Sequence, residues 1–120
     1  MMKESYCSFE VSKLLKEKGF DWDCITYYVD SEPNDVKYSM LFENNTTWEE
    51  RCYSAPTHQM AMAYLREKYG FHIYTFYEDE FHWHYVIDSL TKKWRYSVSE
   101  NKSNDEAIEK ALKYSLKNLI

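Results

Sequence analysis

Phe81-His82-Trp83-His84-Tyr85-Val86-Ile87 is the stretch whose reading decides the fold. Side chains alternate across a β-strand, so Phe81, Trp83, Tyr85 and Ile87 share one face, with His82, His84 and Val86 on the other. The first set carries far more apolar area and is predicted to point at the helices, which leaves the imidazoles on the outer face. Upstream, Glu78-Asp79-Glu80 reads as a loop and residues 71–77 as the preceding strand; downstream, residues 94–98 read as the next. With a three-residue loop, His72, Tyr74 and Phe76 join His82 and His84 on the outer face. A two-residue loop shifts the alignment by one and loses that cluster.

The first half of the chain carries a second group of strands. Cys24-Ile25-Thr26-Tyr27-Tyr28-Val29 is β-branched and aromatic, and residues 30–35 supply turn formers. Residues 36–42 alternate, with Val36, Tyr38, Met40 and Phe42 on one side and Lys37, Ser39 and Leu41 on the other. Asn44-Asn45-Thr46-Thr47 reads as a turn, and residues 43–54 are compatible with either a weak strand or a loop.

Three helices separate and flank these groups. The first runs from about Ser8 to Lys18, with Ser8 as N-cap and Val11, Leu14 and Leu15 on one face. Gly19 ends it, and Phe20 folds back toward Leu15. The second starts near Thr57, buries Ala61, Tyr64 and Leu65, and ends at Gly70. The third opens on the capping box Ser103-Asn104-Asp105-Glu106, with Ile108, Ala111, Leu112, Ser115 and Leu119 inward. The order α-βββ-α-βββ-α predicts an α+β fold: an antiparallel sheet of five to six strands with the three helices packed mainly on one face.

With 2 Gly and 2 Pro in 120 residues there is too little punctuation for a linker, so one domain spanning residues 1–120 is expected. An apolar fraction of 44% against 29% charged excludes disorder, and no apolar run approaches the roughly 18 residues of a membrane span. The start, MMKESYCSFEV, lacks the apolar stretch of a secretion signal, which predicts a cytoplasmic protein. The formal charge of −5 argues against general nucleic-acid binding, which relies on Lys and Arg. Residues 21–50 hold eight acids and one base, whereas the last thirty residues hold seven bases and four acids. The acidic segment suits a basic partner, including one whose nucleic-acid site it blocks by imitation; the plainer reading is a set of solvated loop charges.

The segments Ser8-Phe9-Glu10-Val11, Leu14-Leu15-Lys16-Glu17-Lys18-Gly19-Phe20-Asp21, Ala55-Pro56-Thr57, Leu65-Arg66-Glu67 and Phe71-His72-Ile73 belong together with Glu106-Ala107 and Ala111-Leu112. On these, the chain resembles a family of small uncharacterised proteins encoded by phages and prophages of anaerobic gut bacteria. The resemblance covers most of the chain except residues 30–48. It implies an accessory protein of a mobile element working in a bacterial cytoplasm, and it carries no activity or site with it.

Chemistry-bearing residues are few. His82 and His84 form an H-x-H pair whose imidazoles project the same way, a workable zinc pair if His72 or a carboxylate adds a third ligand. Cys7, Cys24 and Cys52 are odd in number and widely spaced, which argues against disulfides and a zinc ribbon. Cys52 with His58 has the residue types of a nucleophile and base but no electropositive surroundings in sequence. Asp21-Trp22-Asp23 fits a turn better than a cation site, and Lys110 and Lys113 are accounted for by i,i+4 pairs with Glu106 and Glu109. Both glycines are committed to helix ends, so no phosphate-cradling loop can be built.

The leading expectation is therefore a non-enzymatic protein-interaction module. Its interaction face is His72, Tyr74, Phe76, His82 and His84, or else the acidic 21–50 segment. Its partner is a host or phage protein, or a second copy in a homodimer, without a membrane role. The competing expectation is a small metal-binding protein or metal-dependent enzyme using His82 and His84.

Overall fold

The structure is a computed structural model that describes residues 5–80 and 82–120. The chain divides into two compact units, one ending at Thr57 and the other beginning at His58.

In the first unit, α1 (Phe9–Glu17) is followed by β1 (Cys24–Val29), β2 (Glu32–Glu43) and β3 (Cys52–Ser54). Ser8 caps α1 by accepting from the Val11 amide at 3.2 Å, as its sequence position predicts. Gly19 takes φ +86°, and the Phe20 amide returns to the Leu15 carbonyl at 2.9 Å. Val11, Leu15 and Phe20 are fully buried. The sheet has the order β2-β1-β3, both pairings antiparallel. The inward residues of β1 are Cys24, Thr26 and Tyr28. Tyr28 donates its hydroxyl proton to the Cys7 carbonyl at 2.7 Å, and Phe9 packs edge-on against both Tyr28 and Tyr53.

In the second unit, α2 (His58–Tyr69) leads to β4 (Phe71–Asp79), β5 (His82–Ser89) and β6 (Arg95–Asn101), then α3 (Asn104–Tyr114) and a π-helical turn, Ser115–Leu119. The sheet is an antiparallel meander, β4-β5-β6, and α2 and α3 pack against it and each other. Its core includes Tyr64, Leu65, Ile87, Leu112 and Leu116. Gly70, at φ +74°, joins α2 to β4 without a spacer. A Cβ there would lie 3.1 Å from Thr91 Cγ2, so both conformation and space call for glycine.

The element order matches expectation, but the single sheet of five to six strands is corrected to two three-stranded sheets. Alternation identifies strands without naming their partners. Each strand here pairs within its own group of three, where loops are short and closure costs least entropy. Pro33 lies in β2, an edge strand, where its missing N–H removes no ladder bond.

Two further corrections are local. The turn expected over residues 30–35 shrinks to Asp30 and Ser31, because Val29 pairs with Glu32. Residues 43–54, open between strand and loop in the sequence, hold the end of β2 at Glu43, then turns and the short β3. The π-helical turn rotates the last residues of the chain, so Leu116 is fully buried and Leu119 is half-buried. Among the described residues no helix is long and apolar enough to cross a membrane.

Candidate functional site

The cross-strand register places the sequence-predicted face. Tyr74 lies opposite Val86, Phe76 opposite His84 and His72 opposite Asp88. Ile73, Thr75 and Tyr77 pair with Ile87, Tyr85 and Trp83 on the other face. Tyr85 and Ile87 are buried there, whereas His82 and His84 alternate away from them. Phe81 lies outside the described residues.

This alignment survives a shorter turn than the one expected. Asp79 pairs directly with His82, a register that would by itself flip the parity. The register shift between Tyr77 and Asp79 inserts Glu78 as an extra residue and restores it. The loop and the bulge together therefore bring His72, Tyr74, Phe76, His82 and His84 onto one side.

Exposure rises along that face toward the β4–β5 turn. His72 and Tyr74 are half-buried and Val86 is buried, but Phe76 is 46% exposed and the His82 side chain 42%. Phe76 stacks on the His84 ring at 4.5 Å with the planes 7° apart. His84 Nε2 lies 2.6 Å from Glu78 Oε2, and His82 Nδ1 lies 2.5 Å from Asp79 Oδ1. The Asp79 hydrogen bond raises the His82 pKa above its ordinary 6.5, helped by the nearby charges of Asp79, Glu78 and Glu100. At the opposite end Arg95 Nε donates to Asp88 Oδ1 at 2.6 Å.

Each imidazole is thus engaged by a carboxylate of its own. Among the described residues, neither His82 nor His84 belongs to a group of three ligating atoms within 4.8 Å of one another. The carboxylates occupy His82 Nδ1 and His84 Nε2, so a metal would meet His82 Nε2 and His84 Nδ1, with a third ligand still to be supplied.

The other sequence candidates fall into structural roles. All three cysteines are buried free thiols. Burial pushes Cys24 up to about 11 and raises Cys52 as well, the reverse of what a nucleophilic thiolate needs. Asp23 accepts from Asn44 Nδ2 at 2.9 Å, a loop-bracing contact. Lys110 pairs with Glu106 at 3.2 Å, as its spacing predicts. Glu109 reaches His58 Nε2 at 2.7 Å, and His58 is 5% exposed. That part-buried His–Glu contact joins residues 51 apart on two helices. No spacing rule within one element could have found it.

Comparison of the chain with protein-family models, with curated proteins and with solved structures finds no match.

Proposed function

We propose that the protein is a non-enzymatic interaction module of a phage-type accessory system, acting in a bacterial cytoplasm. It engages a host or phage protein, or a second copy of itself, through the outer face of β4-β5-β6. The observation that carries this reading is the β4–β5 hairpin end, where Phe76 is stacked on His84 and left accessible beside His82. A ring held rigidly against a neighbour loses little entropy when a partner covers it, which favours such positions as contact anchors. The resemblance to small phage-encoded proteins supplies the setting. The charge on residues 21–50 and the two carboxylate-engaged imidazoles add no catalytic constellation.

Light scattering at micromolar concentration tests the self-association arm: a dimer in the wild type should become a monomer in Phe76→Glu and Tyr74→Glu. For a heterologous partner, capture from infected or lysogenic cells should recover a protein with the wild type that Phe76→Glu fails to retain. A wild-type monomer whose captured proteins are unchanged by Phe76→Glu removes this face from consideration.

A further inference from the structure

The edge strand β2 does something that its alternation does not predict. It has 12 residues against the six of β1. Thr26 pairs with Tyr38 and Cys24 with Glu43, so residues 39–42 stand opposite Ile25 alone. They leave the ladder, and the Leu41 amide donates to Ser39 Oγ at 3.1 Å within the protrusion. Met40 is 98% exposed, and Leu41 and Phe42 are 71% exposed each. Single exposed apolar side chains need no explanation, but three in succession on a protrusion mark a contact surface. Burying them would be favourable, a gain the chain forgoes on its own.

The next residue, Glu43, lines a groove of about 550 Å³ together with Tyr27, Trp48, Glu49 and Arg51. Tyr27 and Trp48 lie with ring centroids 4.6 Å apart, and Trp48 Nε1 is anchored on Ser54 Oγ at 2.7 Å. Fixed aromatic rings beside two carboxylates are the surroundings that receive a guanidinium or ammonium group. Arg51 offsets one of the two carboxylates, which leaves the lining with a net negative charge. Lys37, the one base among residues 21–50, lies 2.5 Å from Glu32 and 3.2 Å from Asp35, so its charge is balanced on the spot. Two copies meeting through this segment would set like charges together, and an anionic bilayer would repel it.

We propose that this part of the first unit docks a protein segment combining apolar side chains with Lys or Arg. The apolar side chains cover Met40, Leu41 and Phe42, and one cation enters the groove at Tyr27, Trp48, Glu43 and Glu49. The proposal rests on the reading of the chain as an interaction module but is independent of the β4-β5-β6 face.

Calorimetric titration of the intact protein with a synthetic amphipathic Leu/Arg helical peptide, and with its Leu/Glu counterpart, tests it. The Leu/Arg peptide should bind and weaken as salt is added, while the Leu/Glu peptide stays silent. The triple variant Met40→Ser/Leu41→Ser/Phe42→Ser and the double variant Glu43→Gln/Glu49→Gln should each weaken binding about tenfold or more. Circular dichroism melts confirm that both variants remain folded. Absent heat with Leu/Arg, equal binding of Leu/Glu, or full-strength binding by either variant overturns the proposal. So does a dimer that the triple variant dissolves, which would make a second copy the occupant. Sedimentation with neutral phosphatidylcholine vesicles that depends on these three residues would make it lipid and overturn the proposal equally. Including Phe76→Glu in the titration separates the two readings: loss there alone sinks this proposal and leaves the sheet-face module standing.

Discussion

The meander sheet joins strands of nine, eight and seven residues, whereas the first sheet sets a six-residue central strand between neighbours of twelve and three. Near-equal strands keep almost every residue in register, and their mismatches shrink to local bulges such as Glu78. In the first sheet, β1 cannot pair all of β2, and the excess is extruded at residues 33–36 and 39–42. Alternation has physical force only where a ladder enforces it. In β5 it sends Tyr85 and Ile87 inward, while in β2 it fails and Met40, Leu41 and Phe42 all meet solvent. Strand-length mismatch is thus a way to display apolar residues that a matched sheet would hide.

The sharpest way to break that contrast is by truncation. Ile87→Ala or Leu65→Ala, each at fully buried sites of the second unit, should cost about 2–5 kcal/mol in chemical denaturation. The triple serine variant at positions 40–42 removes more apolar atoms yet should stay within about 0.5 kcal/mol of wild type. A large loss in the triple variant would mean that the protrusion packs against the protein, and the contrast would collapse.

Much of this was legible in the residues. Ser8, Gly19, Gly70 and Ser103 announce helix ends through local chemistry, and that chemistry operates whatever the tertiary context. The faces of β5 could be assigned because Trp83, Tyr85 and Ile87 outweigh two imidazoles and a valine. What could not be read were quantities fixed by pairing. Whether β3 neighbours β1 or β4, how many residues of β2 find partners, and the bulge at Glu78 all depend on long-range register. The His58–Glu109 contact and the Tyr96–Tyr114 stack, at 4.1 Å and 3° between planes, arise from helix packing and leave no local trace.

The two glycines extend the comparison at smaller cost. Both take positive φ, so Ala at either should lose about 1–2 kcal/mol from backbone strain alone. Gly19 has nothing within 4 Å of a new Cβ, and α1 has several residues of slack before β1. Gly70 meets Thr91 at 3.1 Å and feeds straight into β4, with its carbonyl accepting from the Leu90 amide at 2.7 Å. Gly70→Ala should therefore lower the melting temperature more than Gly19→Ala does. Adding Thr91→Ser to Gly70→Ala should recover part of that difference, and equal losses at the two glycines would show that the tight approach is immaterial.

The smallest effect concerns what each bulge holds. The one in β2 extrudes apolar side chains, while the one in β4 sets Asp79 against His82. Because the folded pKa of His82 is raised above 6.5, its contribution to stability is fully present below that value and is lost as pH rises through the folded pKa. Asp79→Asn removes the hydrogen-bonding carboxylate that dominates the shift, so the His82 titration followed by proton NMR should move back down toward 6.5. The protonated imidazole also neutralises one charge of an acidic hairpin end. Any self-association through Phe76 should accordingly weaken as pH rises past the His82 titration, and in Asp79→Asn the midpoint should shift to lower pH with it. Association that ignores both pH and Asp79→Asn would place the contact away from this hairpin, leaving the extruded apolar segment of β2 as the surface to pursue.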